Sequence, residues 1–302
     1  MVLALALAFL GAGRAFADPI GFDLGTHAAG DAPTKVGSRG GSDNVEVELL
    51  SDVASIQPGK QFLVALRMKL DSGWHTYWKN PGDSGLPLKI QWELPPGFTP
   101  GEIQWPIPSR IPEPPLLGYG YHGDVLFTVP IMPAKSMAAH DARIAATFDW
   151  LECEDICIPG TAKLAITLPI ENASRPGPSA GLIAAGQGAL PTTSLGWDLS
   201  ARSGREIVLT AKPPQGLAFT ALEFYPSEGL VIESSAPQRL ESSGGRYTLT
   251  MTPDPNAEGK PERLTGVLVH TGAGGARTGV TIDVPVTGTA SAAGTTGASG
   301  WP

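Results

Sequence analysis

The chain has 302 residues, a length that predicts more than one domain. Its 38 glycines and 29 prolines exclude a helical bundle, because proline removes a backbone donor and glycine raises the entropy cost of ordering. A net charge of −8 without any basic run argues against nucleic acid as a partner. Since 42% of the residues are hydrophobic, the composition predicts an all-β protein of short strands joined by many turns.

The N-terminus has the pattern of a secretory signal. Residues 1–17 are an apolar run that ends in the triplet Ala15-Phe16-Ala17, which predicts cleavage before Asp18 and export to the periplasm. Disulfides form and persist in that compartment. Residues 18–44 are rich in Gly, Ser and Asp without any periodicity, and they are predicted to be a flexible leader.

Residues 45–171 contain short runs of alternating apolar and polar residues, separated by turns rich in Pro and Gly. The runs predict seven to nine strands, which is the number expected of an immunoglobulin-like sandwich. The clearest runs are 62–70, 88–94, 125–132, 144–150 and 164–170.

The second half of the chain predicts another sandwich. Residues 172–195 interrupt the strand pattern and are predicted to be a linker, with one short helical turn near residues 182–185. A further series of strand-like runs predicts a smaller β-sandwich over residues 196–286, without cysteine. The tail, residues 287–302, is of low complexity and predicts a flexible linker, so we expect the natural chain to continue past Pro302.

The only two cysteines, Cys153 and Cys157, are four residues apart. In a straight strand their Cα atoms would be about 13 Å apart, beyond the disulfide limit of about 7 Å, so a bond requires the segment to turn back or coil. Three interpretations stay open: a structural disulfide, a metal site completed by His75 or His122, and a redox-active pair. A structural bond across so short a loop adds only about 2 kcal/mol. A short loop in an exported protein favours a labile, exchangeable bond.

Three segments resemble the N-terminal periplasmic domain of the DsbD/ScsB family of thiol–disulfide interchange proteins. Residues 149–160, DWLECEDICIPG, are similar to the family stretch W-L-x-C-x-x-x-C-I-P, and residues 73–85 and 118–125 resemble two further family motifs. They occur in family order within residues 45–171. The Trp-rich segment GWHTYWKNPG is closer to the ScsB branch, which is associated with copper stress. DsbD proper has five residues between its cysteines, where this chain has three.

The resemblance implies an immunoglobulin-like sandwich with a redox-active disulfide, acting as a protein-disulfide reductase. It implies that electrons come from a thioredoxin-like domain, fed by a membrane-embedded domain, and pass to periplasmic thiol–disulfide proteins. Exchange of this kind needs no organic cofactor and no metal. The resemblance also assigns Cys157 to the mixed disulfide and Cys153 to its resolution.

Two groups near the cysteines are predicted to modify the pair. Tyr119 and Tyr121 lie between glycines, and by resemblance to the family's aromatic cap they are predicted to shield the sulfur atoms; two core-edge tyrosines in a tight turn are the alternative. Glu152, Glu154 and Asp155 place negative charge beside the thiols, which disfavours the thiolate and predicts a raised thiol pKa. Solvated turn carboxylates are the alternative interpretation.

Four residues of the Trp-rich segment are predicted to line the site: Trp74, His75, Tyr77 and Trp78. His75 is a candidate proton donor to a leaving thiolate, whereas the aromatic residues alternatively fill the core of the sandwich. Two rival functions stay compatible with these residues. One is a non-catalytic exported binding module with a structural disulfide, and the other is a copper-binding protein that uses the thiols with His75 or His122.

Overall fold

The computed structural model describes residues 38–288. This part contains nineteen strands and one helix, so the predicted all-β class is confirmed. The predicted signal, residues 1–17, lies outside the described residues, as do residues 18–37 of the predicted leader and residues 289–302 of the predicted tail. Within the described part, the single helix is too short to cross a membrane.

The first eleven strands form two sheets around a shared hydrophobic core. The strands are β1 (Arg39–Gly41), β2 (Val45–Ser51), β3 (Phe62–Leu70), β4 (His75–Gly82), β5 (Lys89–Glu93), β6 (Phe98–Pro100), β7 (Ser109–Glu113), β8 (Leu116–His122), β9 (Asp124–Pro133), β10 (Asp141–Cys153) and β11 (Cys157–Pro169). One sheet has the order β1-β2-β3-β9-β6. The other has the order β11-β10-β4-β8-β7, with β5 paired to β10. Apolar side chains of both sheets meet in one cluster, as the alternating burial along β2 predicts.

Strand β1 corrects part of the predicted leader, which does not stay flexible up to residue 44. Arg39–Gly41 pairs antiparallel with β2. A side chain at Gly40 would meet Leu164 Cδ2 at 3.2 Å, so the small residue allows β1 to lie close to β11. Edge pairing of this kind uses backbone hydrogen bonds, which leave no apolar periodicity in the sequence.

The remaining elements form the second sandwich and its connection. They are α1 (Ala180–Gln187), β12 (Thr192–Thr193), β13 (Asp198–Ser203), β14 (Ile207–Lys212), β15 (Ala221–Pro226), β16 (Arg239–Ser243), β17 (Arg246–Met251), β18 (Arg263–Thr271) and β19 (Arg277–Gly288). The helix confirms the predicted helical turn. Seven of the strands follow one another in the order β15-β18-β19-β13-β14-β17-β16, and the long strand β19 pairs with both β18 and β13. These strands surround a separate hydrophobic core. The predicted fold class, two sandwiches in tandem, is therefore confirmed.

The two sandwiches share apolar surface and belong to one compact unit. Tyr225, Val267 and Val269 of the second sandwich are part of the core cluster of the first. The Tyr225 ring lies edge-on to the rings of Trp78 and Tyr119, at centroid distances of 6.4 and 5.2 Å. The contact is specific as well as apolar, because the buried Asn80 amide donates hydrogen bonds to two backbone carbonyls of the second sandwich.

Candidate functional site

Strands β10 and β11 form a hairpin whose last residue pair is Cys153 and Cys157. These residues form a disulfide, with the sulfur atoms 2.01 Å apart and the Cα atoms 4.2 Å apart. The three residues between them, 154–156, reverse the chain, and the Glu154 amide donates to the Ile156 carbonyl at 3.3 Å. The predicted reversal of the chain is therefore confirmed, and it is a hairpin turn rather than a coil of helix.

The two sulfur-bearing residues differ in their access to solvent. Cys153 is 1% exposed, whereas Cys157 is an exposed residue at the start of β11. Ile156, the last residue of the turn, is 67% exposed. Of the two cysteine residues, Cys157 is therefore the one that solvent reaches, and Cys153 is the buried partner.

Strand register places three further side chains on the face of the sheet that carries the disulfide. His75 on β4 pairs with Cys153 on β10 and with His122 on β8, so these residues share one face of the sheet. Tyr77, two residues after His75, lies on that same face. The pairing of these strands thus brings the segments 73–85, 118–125 and 149–160 together.

Tyr77 contacts both sulfur atoms. Its hydroxyl lies 3.0 Å from Cys153 Sγ and 3.5 Å from Cys157 Sγ. The ring packs directly on Gly85, whose φ is +96° and where a Cβ would come within 2.3 Å of the ring, so only glycine fits there. Burial and the charge of Glu113 raise the pKa of Tyr77 to about 12, so this side chain keeps its proton at neutral pH.

Glu113, at the end of β7, completes the cluster, and it was not among the predicted site residues. Its Oε1 atom lies 3.2 Å from the Tyr77 hydroxyl and 2.9 Å from His75 Nε2. Ser84 donates to the other carboxylate oxygen at 2.6 Å. Burial lowers the pKa of His75, an effect that Glu113 opposes and that the neighbouring His122 ring, 5.6 Å away, reinforces.

The predicted cap residues lie on the opposite face of the sheet. Tyr121 is buried and its hydroxyl donates to the Pro106 carbonyl at 2.8 Å, whereas Tyr119 packs against Tyr225 of the second sandwich. Because successive side chains of a strand alternate between faces, residues that point into the core cannot also cover the disulfide. The predicted cap is corrected accordingly, since the hydroxyl on the sulfur atoms is that of Tyr77.

The remaining predicted site residues divide between core and turn. Trp78 is fully buried in the core and Trp74 packs at its edge, so both follow the alternative interpretation as core aromatics. Glu154 and Asp155 are exposed in the turn, and the Glu154 carboxylate lies against Gly73. The effect of these two carboxylates on the thiols stays a prediction.

Glu152 precedes Cys153 but points into the protein, where it is fully buried. Its carboxylate accepts hydrogen bonds from Trp150 Nε1 at 2.6 Å, Ser42 Oγ at 2.8 Å and Asn44 Nδ2 at 3.1 Å. This carboxylate therefore ties the start of the described chain to the end of the hairpin that carries the cysteines.

Within residues 38–288, the side chains of His, Cys, Asp and Glu include no group of three or more that could hold a metal ion. The His75 and His122 rings lie 5.6 Å apart on the face of the sheet that carries Cys153, and the two sulfur atoms are bonded to each other. Both cysteines of the chain are accounted for by that bond.

Comparison with known proteins agrees with this architecture. Residues 46–169 match the family model described as thiol:disulfide interchange protein DsbD, N-terminal. The crystal structure of the N-terminal periplasmic domain of ScsB from Proteus mirabilis is similar to this chain, with a TM-score of 0.57 and 19% sequence identity over 81% of this chain and 94% of that one. The family resemblance and the immunoglobulin-like fold class are thereby confirmed.

Two other solved structures match with low TM-scores. The periplasmic chaperone SfaE has a TM-score of 0.20 and 15% identity over 80% of this chain and all of that one. The titin domains z1z2 in complex with telethonin have a TM-score of 0.18 and 12% identity over 81% of this chain and 98% of that one. Neither likeness carries a functional argument. No curated protein matches the chain.

Proposed function

We propose that the protein relays electrons through Cys153 and Cys157. Residues 46–169 match the family model of the DsbD N-terminal domain, and their longest hairpin ends in a disulfide. In this proposal the protein is a periplasmic protein-disulfide reductase that reduces partner proteins by thiol–disulfide exchange. The observation that carries the proposal is the asymmetry of the pair, with one sulfur-bearing residue exposed and the other buried under a tyrosine hydroxyl.

The relay works in two exchanges. A donor thiolate attacks Cys157 Sγ, a mixed disulfide forms, and the electron pair of the broken bond stays on Cys153 Sγ. The second thiol of the donor then attacks its own sulfur in the mixed disulfide, so the donor leaves oxidised and both cysteines are reduced. In the second exchange the Cys157 thiolate attacks the disulfide of an acceptor, and Cys153 resolves the mixed disulfide and releases the reduced acceptor.

The proposed partners are thioredoxin-like domains, which carry a pair of cysteines able to donate or accept two electrons. A hairpin end suits them because the attacked sulfur must come within bonding distance of the partner's own cysteine. Ile156 supplies exposed apolar surface beside Cys157. A membrane-embedded domain is proposed as the source of the electrons, and the apolar run at residues 1–17 supports a periplasmic location.

Trapping of the mixed disulfide tests the assignment of the two cysteines. The probe is a thioredoxin whose resolving cysteine is replaced by serine and whose remaining thiol is activated as a mixed disulfide with a good leaving group. We expect the Cys157 thiol of Cys153→Ala to form a stable mixed disulfide with this probe. The matched variant Cys157→Ala carries the same number of thiols but keeps only the buried one, so it is expected to trap little partner. Non-reducing electrophoresis separates the free and linked species.

Two results would contradict the proposal. Equal trapping by both variants, with both thiols titrating fully after denaturation, would show that accessibility does not select Cys157. A native disulfide that reduced thioredoxin leaves intact in the wild-type protein would show that the bond is structural.

A further inference from the structure

The side chains around Tyr77 include more hydrogen-bond acceptors than its hydroxyl has protons to donate. That hydroxyl has one proton and four neighbours within reach: Cys153 Sγ at 3.0 Å, Glu113 Oε1 at 3.2 Å, His75 Nε2 at 3.3 Å and Cys157 Sγ at 3.5 Å. A phenol donates only one hydrogen bond. The direction of that bond therefore depends on which neighbour is the strongest acceptor at the time.

We propose that Tyr77 is a proton switch, which donates to Glu113 while the disulfide is intact and to the Cys153 sulfur when that bond breaks. This inference rests on the proposed function and adds the source of the proton for the exchange. An ionised carboxylate is a much stronger acceptor than a neutral disulfide sulfur. A thiolate on Cys153 reverses that order, because its charge appears 3.0 Å from the hydroxyl, in a side chain that is 1% exposed.

The proton transfer balances the exchange reaction. When a donor thiolate bonds to Cys157 Sγ, the bond to Cys153 Sγ breaks and the electron pair remains on Cys153. The side chain of Glu113, which contacts His75, is 22% exposed, so solvent supplies one proton to His75 as the charge on Cys153 appears. The Tyr77 proton moves to the Cys153 sulfur, and the His75 imidazolium replaces the proton that Tyr77 gives up. The same path runs backwards when Cys153 attacks as the resolving thiol.

The surroundings of His75 favour proton uptake when the disulfide breaks. The titratable groups that face it are Tyr77 on its own strand, Glu113 on β7, His122 on β8, and the cysteines on β10 and β11. Burial lowers the pKa of His75 in the disulfide state. A new negative charge on Cys153 acts in the opposite direction and favours the imidazolium.

The carboxylate is held in position for this role. Ser84 occupies Oε2 of Glu113, which leaves Oε1 directed at both His75 Nε2 and the Tyr77 hydroxyl. His75 and Glu113 are therefore positioning residues that act through Tyr77. Of these three residues, Tyr77 is the one whose hydroxyl reaches the reacting sulfur atoms.

The test measures the rate at which dithiothreitol reduces the Cys153–Cys157 disulfide between about pH 5 and pH 9. The rate is divided by the concentration of dithiothreitol thiolate, so that the remaining pH dependence belongs to the protein. We expect Tyr77→Phe to lower this rate by about tenfold or more, the effect of losing a hydrogen bond to a charged group. Glu113→Gln and His75→Phe are expected to flatten the pH profile. Tyr121→Phe is the matched control, because its hydroxyl lies on the other face of the sheet, and it is expected to behave like the wild type.

The outcomes separate the two proposals. If Tyr77→Phe reacts like Tyr121→Phe and the pH profile survives in Glu113→Gln and His75→Phe, the proton switch is overturned while the relay stands. If the native wild-type disulfide does not react with dithiothreitol at any pH, the relay itself fails. Should Tyr77→Phe not fold, the pH profile of Glu113→Gln alone decides, since an unchanged profile would overturn the switch.

Discussion

Glu152 and Cys153 are neighbours in the chain, yet they face two different polar environments. The Glu152 carboxylate points inward and accepts hydrogen bonds from Ser42, Asn44 and Trp150. The Cys153 sulfur lies on the other face, beside the Tyr77 hydroxyl, whose one proton has several acceptors. The hydrogen bonds of Glu152 are all satisfied, so they favour one arrangement and stabilise the fold. The Tyr77 hydroxyl has more acceptors than protons, so its hydrogen bond can change acceptor with the redox state.

The largest effect on stability is expected from Glu152→Ala. The substitution leaves the donors of Ser42, Asn44 and Trp150 without their acceptor in a buried position. We expect the free energy of unfolding of the oxidised protein to fall by about 2–3 kcal/mol. Urea unfolding followed by tryptophan fluorescence measures the change.

Glu154→Ala is the control for that experiment. Glu154 is in the same hairpin but is exposed, so its removal is expected to change the free energy of unfolding by no more than about 0.5 kcal/mol. Equal losses in the two variants would show that the buried hydrogen bonds of Glu152 do not stabilise the fold.

A smaller, pH-dependent effect is expected from two buried histidines, His75 at the disulfide and His270 in the second sandwich. Burial lowers the pKa of both below the ordinary value of 6.5. The unfolded chain then binds protons more readily than the folded one. The stability from the neutral imidazoles is therefore fully present above pH 6.5 and is lost as the pH falls from 6.5 through the lowered, folded-state values.

Unfolding free energies at about pH 7.5 and pH 5.5 check this sign. The wild type is expected to lose stability on acidification, and His75→Phe and His270→Phe are each expected to lose less. A variant that loses as much as the wild type would show that its histidine does not contribute. A difference between the two variants would show that the histidine at the disulfide and the histidine in the second sandwich contribute unequally to the pH dependence of stability.

The sequence predicts the local parts of the structure well, because burial with a period of two is a local signal. The alternation in residues 62–70 and 144–150 corresponds to β3 and to the middle of β10. The disulfide limit on the Cα distance likewise predicted that a bond between Cys153 and Cys157 needs the chain to turn back or coil, and the hairpin turns it back.

Contacts between residues that are far apart in the chain could not be predicted from the sequence. Glu113 lies in a proline-rich stretch 36 residues from Tyr77, and nothing local indicates that strand pairing brings them together. The alternation in GYGYHG shows that Tyr119 and Tyr121 share a face, but only the register with β4 shows which face that is. The polar edge strands β1 and β16 have no apolar alternation to predict them.

The reduction potential of the Cys153–Cys157 pair, measured by equilibration with glutathione or dithiothreitol buffers, decides between a relay and a structural disulfide. A relay predicts an exchangeable potential of about −180 to −270 mV, with little difference in thermal stability between the oxidised and reduced forms. A potential below about −300 mV, together with marked destabilisation on reduction, would contradict the relay and identify the bond as structural.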